Sequence, residues 1–285
     1  MRHRRRSGLH AGAGRAFLLR MPLPGLLALA VGAAGCGDAR TAGDGLRDVA
    51  ARHAFSIGTA AHDEHLASAD DPLYGEVLAR EFDSITPYTA MKWGRIHPEP
   101  DRYDFPGADA IVDFAQAHGM RVRGHTLVWG GAADPPNPAY VSEVDADTLR
   151  AMTADHIRTV MERYRGRVSR WDVVNEPLTA FGEDGGTGGL RDSAFLQKLG
   201  PGYIAEALRV AHEADPDARL FVNEFLELKP GVKQDRYFAL VRDLLDARVP
   251  LHGVGLQGHM WFLPYSPPGD SDVATRDEVE ATLRR

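Results

Sequence analysis

"WDVVNEPL", residues 171–178, is the stretch on which the fold turns. Trp171, Val173 and Val174 make a short, nearly continuous apolar run, the pattern of a strand covered on both faces. The run then delivers Asn175 and Glu176 together, and Pro177 closes it. A carboxylate removed from water is costly unless it is paired or used. Glu176 therefore has a structural partner, or it sits in an active site at the C-terminal end of a strand.

The same layout repeats on both sides of this segment. "FSIGTA" (55–60) precedes a helix pattern near 73–82. "SITPYTAM" (84–91) precedes "GADAIVDFAQAHG" (107–119). "RVRGHTLVW" (121–129) precedes "ADTLRAMTADHIRTVMERY" (146–164). After "SRWDVVNEP" (169–177) and a Gly-rich loop at 182–189 comes "YIAEALRVAHEA" (203–214). "ARLFVNEF" (218–225) precedes "KQDRYFALVRDLLDA" (233–247), and "GVGLQGHM" (253–260) precedes "RDEVEATLRR" at the end of the chain. Strands alternating with helices of this length predict a parallel sheet. It can stay open and doubly wound or close toward a (β/α)8 TIM barrel. No glycine-rich phosphate loop follows the first strand, which disfavours a nucleotide site. His125, Asn175, Glu176, Asn223, Gln257 and His259 gather at strand C-terminal ends, the face on which barrels build their sites. Doubly wound sheets also bind ligands at strand ends, so the barrel is favoured only moderately by this.

In "RGHTLVWG" a regular strand places His125, Leu127 and Trp129 on one face, and in "GLQGHMW" it places Gln257 with His259. Each pair can equally be a hydrogen-bonded core pair. The Asn175–Glu176 pair is harder to explain structurally. A carboxylic acid beside an amide, with indole and imidazole neighbours, suits glycoside cleavage. An acid protonates the leaving oxygen, and a second carboxylate acts from the other side of the anomeric carbon.

Several motifs, in order, make residues 54–285 resemble glycoside hydrolase family 10, the endo-1,4-β-xylanases. They are "ITPYTAMKWGRIHPEPDRYDF", "GMRVRGHTLVW", "WDVVNEPL", "LRDSAFLQKLGPGYI", "LFVNEF" and "GVGLQGHM". The resemblance implies a TIM barrel of which about six of eight β/α units are present. It also implies retaining, endo-acting hydrolysis of β-1,4-xylan without a cofactor or a catalytic metal, by a protein that is monomeric when complete. Glu176 matches the general acid/base and Asn175 the residue that contacts the sugar 2-hydroxyl. Lys92, His125 and Trp129 match glycone-subsite residues, Asn223 and Gln257 polar cleft positions, and His259 the partner of the nucleophile. Tyr88-Thr89 stands where the family usually has Glu-Asn, and Gly130 where it has His. The family's nucleophile lies on a seventh strand. The sequence ends at Arg285, so strands seven and eight and the nucleophile are expected to be absent and the chain by itself inactive. Glu224 and Asp172 are poor substitutes, since alternation turns Glu224 away from Asn223 and Asp172 lies deeper in the barrel. A xylan-binding protein without hydrolysis is the alternative.

Residues 51–285 are thus read as the family 10 domain. Formal net charge is −7, and Arg2, Arg4, Arg5, Arg6, Arg15 and Arg20 precede the first acid, so the body is more acidic still. Such a body disfavours nucleic acid as a partner. The basic head, the apolar "LPGLLALAVGAAGC" (23–36) and the small residues at its end read as an export segment over 1–36, too short to span a bilayer comfortably. Cys36, the only cysteine, follows Ala33-Ala34-Gly35 in the manner of a bacterial lipobox, although that pattern prefers Leu at Ala33's position. Lipidation at Cys36 would hold the protein at the outer face of a membrane; an ordinary cleaved signal would release it. Either Met1 or Met21 can be the start. Residues 37–50 read as a tether.

Overall fold

The computed structural model describes residues 45–66, 68–131, 137–179, 189–225, 231–257 and 275–285. In chain order the elements are α1 (Leu46–Arg52), β1 (Gly58–Ala61), α2 (Asp63–Leu66), α3 (Tyr74–Glu81), β2 (Ser84–Pro87), α4 (Trp93–Ile96), α5 (Pro106–Ala117), β3 (Arg121–Trp129), α6 (Tyr140–Glu143), α7 (Ala146–Arg163), β4 (Arg170–Asn175), α8 (Ala194–Leu199), α9 (Tyr203–Ala214), β5 (Arg219–Glu224), α10 (Val232–Asp246), β6 (Gly253–Leu256) and α11 (Arg276–Arg284). The six strands lie side by side in sequence order, and every pairing is parallel. Sequential parallel pairing rules out the doubly wound order, in which strand order reverses at a switch point. The chain forms six successive β/α units of a (β/α)8 barrel.

Local chemistry explains several helix starts. Pro106 opens α5 at its first position, where the missing N–H costs nothing. Asp145 caps α7 by accepting from the Thr148 N–H, and Ser193 caps α8 by accepting from the Leu196 N–H. The core lies between the strands and the helices. Ile85, Val122, Leu127, Val174, Leu220 and Val222 are buried from the sheet side, and Ile111, Ile157, Met161, Ile204 and Leu208 from the helices. Fully burying each such side chain is worth about 1.5–3 kcal/mol.

Three expectations are corrected. The tether does not run to residue 50: Leu46–Arg52 is helical, and Arg47 donates to the carbonyls of Ala79 and His118. The strand expected over 84–91 stops at Pro87, after which the chain turns so that Lys92 takes the position just before α4. Leu127 does not share the face of His125 and Trp129. Pairing of β3 with β4 slips between His125 and Val128, so Leu127 is fully buried while its two neighbours face the cleft.

Candidate active site

A cleft of about 690 Å³ opens at the C-terminal ends of the strands. Lys92, His125, Trp129, Asn175, Glu176, Asn223 and Gln257 all line it. His259 and Cys36 lie outside the described residues.

The site is built on a second strand irregularity. Pairing of β4 with β5 shifts between Asp172 and Val174. Regular alternation would send Asp172, Val174 and Glu176 to one side. The bulge instead buries Val173 and Val174 and lets Asp172, Asn175 and Glu176 line the cleft. Glu176 itself has φ of +50°, a left-handed backbone unusual for a residue with a Cβ. Such a conformation persists only where its surroundings over-determine it. Here the Glu176 N–H donates to the Asn223 carbonyl at 2.7 Å, and Arg191 Nε donates to the Glu176 carbonyl at 2.9 Å.

The Glu176 carboxylate is held by three donors. Trp129 Nε1 lies 3.0 Å from Oε2, Gln257 Nε2 lies 3.0 Å from Oε1, and Arg191 Nη2 lies 3.3 Å from Oε2. The side chain keeps 17% of its exposure, so it is fixed yet reachable from the cleft. Asn175 Oδ1 accepts from Asn223 Nδ2 at 2.8 Å and from Gln257 Nε2 at 3.3 Å. Strands β4, β5 and the end of β6 are thereby tied together at the site. The buried Lys92 places its ammonium 5.0 Å from the Tyr88 ring centroid and 5.3 Å from that of Trp129.

Below Glu176, Asp172 is nearly fully buried. It pairs with the guanidinium of Arg123 and accepts from His125 Nδ1 at 2.9 Å. Burial pushes its carboxyl up, but hydrogen bonds and charge from His125 and Arg123 outweigh that and hold it below the usual carboxylate range. Glu224 points away from the cleft, as alternation predicts. It is fully buried, 2.8 Å from Lys233 Nζ, and accepts from the backbone N–H groups of Leu178 and Phe225. Burial raises its carboxyl above the usual range, against the pull of Lys233.

Arg191 and Arg123 were not singled out from the sequence. Arg191 stands in the quoted "LRDSAFLQKLGPGYI" motif, but nothing local shows that it folds back onto Glu176. Gly130, where the family usually has His, faces α8: a Cβ there would lie 2.5 Å from Ser193 Cβ, so a side chain would displace the cap of that helix.

A parallel β/α barrel with a clamped carboxylate at the mouth of its fourth strand defines a class, the barrel proteins with a carboxylate-centred cleft. Comparison with known proteins narrows it. The profile of glycosyl hydrolase family 10 matches residues 45–272, and the chain belongs to this family. A β-1,4-xylanase of Dictyoglomus thermophilum is 43% identical over 195 residues, covering 68% of this chain and 53% of that protein. Endo-1,4-β-xylanase B of Paenibacillus barcinonensis is 40% identical over 213 residues, covering 73% and 60%. Among solved structures, native xylanase 10B of Thermotoga maritima superposes with a TM-score of 0.74 at 35% identity, covering 84% of this chain and 69% of that one. The chain spans a little over half the length of the D. thermophilum relative and three fifths of the P. barcinonensis one.

Proposed function

We propose that this chain carries the acid/base half of an endo-acting β-1,4-xylan hydrolase of the retaining type. The observation that carries the reading is the clamped Glu176 carboxylate, held by Trp129, Gln257 and Arg191 beside Asn175 in an open cleft. In its first role Glu176 protonates the leaving oxygen, and in its second it takes a proton from the attacking water. Asn175, fixed by Asn223 and Gln257, is oriented to hydrogen-bond a sugar hydroxyl next to the scissile bond. Trp129 and Tyr88 offer ring faces to the sugar, and Lys92 and His125 offer polar edges.

Retention needs a second carboxylate about 5–5.5 Å from the first. Among the described residues, Asp172 is committed to Arg123 and His125, and Glu224 to Lys233. Neither is available as a nucleophile. On this reading the nucleophile is not among the described residues, which by themselves bind xylan without turning it over. That same pairing of both carboxylates favours the second reading, a xylan-binding protein without hydrolysis. The export segment over 1–36 and lipidation at Cys36 belong to the proposal as well; metabolic labelling with a radioactive fatty acid tests the latter.

The test is to join residues 37–285 to the C-terminal β/α units of a family 10 relative and replace Glu176 by Ala. Hydrolysis of xylan should nearly vanish, while aryl xylobiosides with activated leaving groups, which need little protonation, should be spared by roughly 10²-fold or more. Equal loss on both substrates would remove Glu176 from the acid role. A joined chain that binds xylooligosaccharides but hydrolyses neither substrate would favour the binding reading.

A further inference from the structure

The segment "HDEH" (62–65) stands at the junction of β1 and α2. In the structure His62, Glu64 and His65 each bring one donor atom to a common point, all within 4.8 Å of one another. His62 Nδ1 and Glu64 Oε1 are already 3.2 Å apart. Ligand atoms of a tetrahedral zinc ion, at about 2.0–2.1 Å from the metal, are separated by roughly 3.3–3.5 Å. Closing the cluster to such a spacing calls for side-chain rotation by the half-buried His62 and the exposed Glu64 and His65. Two imidazoles and one carboxylate are also the donor set of a three-ligand zinc site with one open position.

The backbone beneath the cluster is anchored on several sides. The His62 N–H donates to the Tyr74 hydroxyl at 3.0 Å, and the preceding Ala61 carbonyl accepts from the Tyr88 N–H at 2.8 Å. Asp63, between the ligands, points inward: it is nearly buried, lies 3.5 Å from Arg95, and sits where a Cβ on Gly107 would collide with it. Its anchoring turns Glu64 outward. The ring of His65 lies 5.3 Å from that of Tyr74, and the ring of His62 lies 4.3 Å from that of Tyr88, a cleft-lining residue.

We propose that His62, Glu64 and His65 bind a divalent cation of the zinc class at the rim of the cleft. The alternative is a surface His62–Glu64 ion pair with His65 beside it by chance. Such pairs are worth about 0–1 kcal/mol and hold no metal. The cation site lies beside the hydrolytic machinery and is not part of it, so the proposal stands whether or not the chain takes part in xylan cleavage.

The experiment uses the full chain, stripped with a chelator and dialysed to equilibrium against Zn²⁺. One saturable equivalent is expected. His65→Ala and Glu64→Gln, both at exposed positions, should each weaken binding roughly tenfold or more while leaving the far-ultraviolet circular dichroism unchanged. Wild-type protein that binds no saturable equivalent, or a His65→Ala variant that binds as tightly, would overturn the proposal. Should either variant lose its fold, the Co²⁺-loaded wild-type chain decides. Intense visible absorption from a four- or five-coordinate ion supports the site, and the weak absorption of a hydrated six-coordinate ion refutes it.

Discussion

Asp172 supports the floor of the cleft, and its energetics are those of a buried charge with two partners. Removing one partner from a buried pair leaves a charge that nothing compensates. Asp172→Asn should therefore cost about 3 kcal/mol, read by urea unfolding at pH 7, because Arg123 loses its counter-charge. The pH dependence has a definite sign. The folded carboxyl titrates below its unfolded value of about 3.9, so its contribution is present above that pH and is lost as pH falls through the folded value. The variant should lose this part of the acid limb. Asp172→Asn stability within a few tenths of a kcal/mol of wild type would show that the ion pair contributes nothing. Tyr88 poses a separate question at the same scale. It is 49% exposed, its ring lies tilted against that of His62, and it offers a ring face where the family's usual Glu-Asn pair offers polar contacts. In the joined enzyme, Tyr88→Glu with Thr89→Asn should lower the KM for long xylooligosaccharides. An unchanged KM and kcat/KM would remove residues 88 and 89 from the distal glycone subsite.

Helices α4 and α7 meet through an imidazole pair that couples their packing to pH. His97, at the C-terminal end of α4, and His156, on α7, place their Nδ1 atoms 3.2 Å apart in the core. One ring must donate and the other accept, so the arrangement requires neutral imidazole. Trp93 stacks on His156 at 4.0 Å, and Tyr103 on His97 at 4.1 Å. Burial pushes both imidazoles below the usual histidine range, and for His156 charge on His97 would push it further. Folded values below the unfolded value of about 6.5 mean that the unfolded chain binds more protons in acid. The contribution is fully present above about pH 6.5 and falls away below it. Tm should therefore drop between pH 7 and pH 5, and the drop should be shallower in His156→Gln. Parallel Tm–pH curves for the two proteins would exclude the pair as the source.

At the scale of the whole molecule, the described strands end in two edges. β1 pairs only with β2, and β6 only with β5, among the described residues. Closed barrels have no edges, and open ones present unpaired backbone donors and acceptors to other chains. Val254 on β6 is 37% exposed and Phe55, just before β1, is 65% exposed, so apolar surface accompanies both edges. A polypeptide of residues 45–285 alone should self-associate as its concentration rises, measured by sedimentation velocity. Joining the C-terminal β/α units of a relative to that polypeptide should give a monomer. A monomer at all concentrations without those units would mean that the edges are already protected.

Element order and identity were legible from the sequence because they rest on local periodicity. Apolar runs alternating with helical patterns stand at β3, α7, α9 and α10 almost where the structure has them, and "WDVVNEPL" placed Asn175 and Glu176 at a strand end. The cleft members Lys92, His125, Trp129, Asn223 and Gln257 followed from ordered motifs, and the turn of Glu224 away from Asn223 followed from strand alternation. What the sequence left open depends on contacts between residues far apart in the chain. The slips of β3 against β4 and of β4 against β5 bury Leu127 and bring Asp172 and Asn175 to the same cleft, and both are set by neighbouring strands. Arg191 reaches Glu176 by folding back across the loop, and Arg123 finds Asp172 from the adjacent strand. The left-handed backbone of Glu176 is held by Asn223 and Arg191, neither of them its neighbour in sequence. Periodicity reports which face a side chain would take in a regular strand. Only the packed structure decides where a strand departs from regularity and which distant charge then meets it.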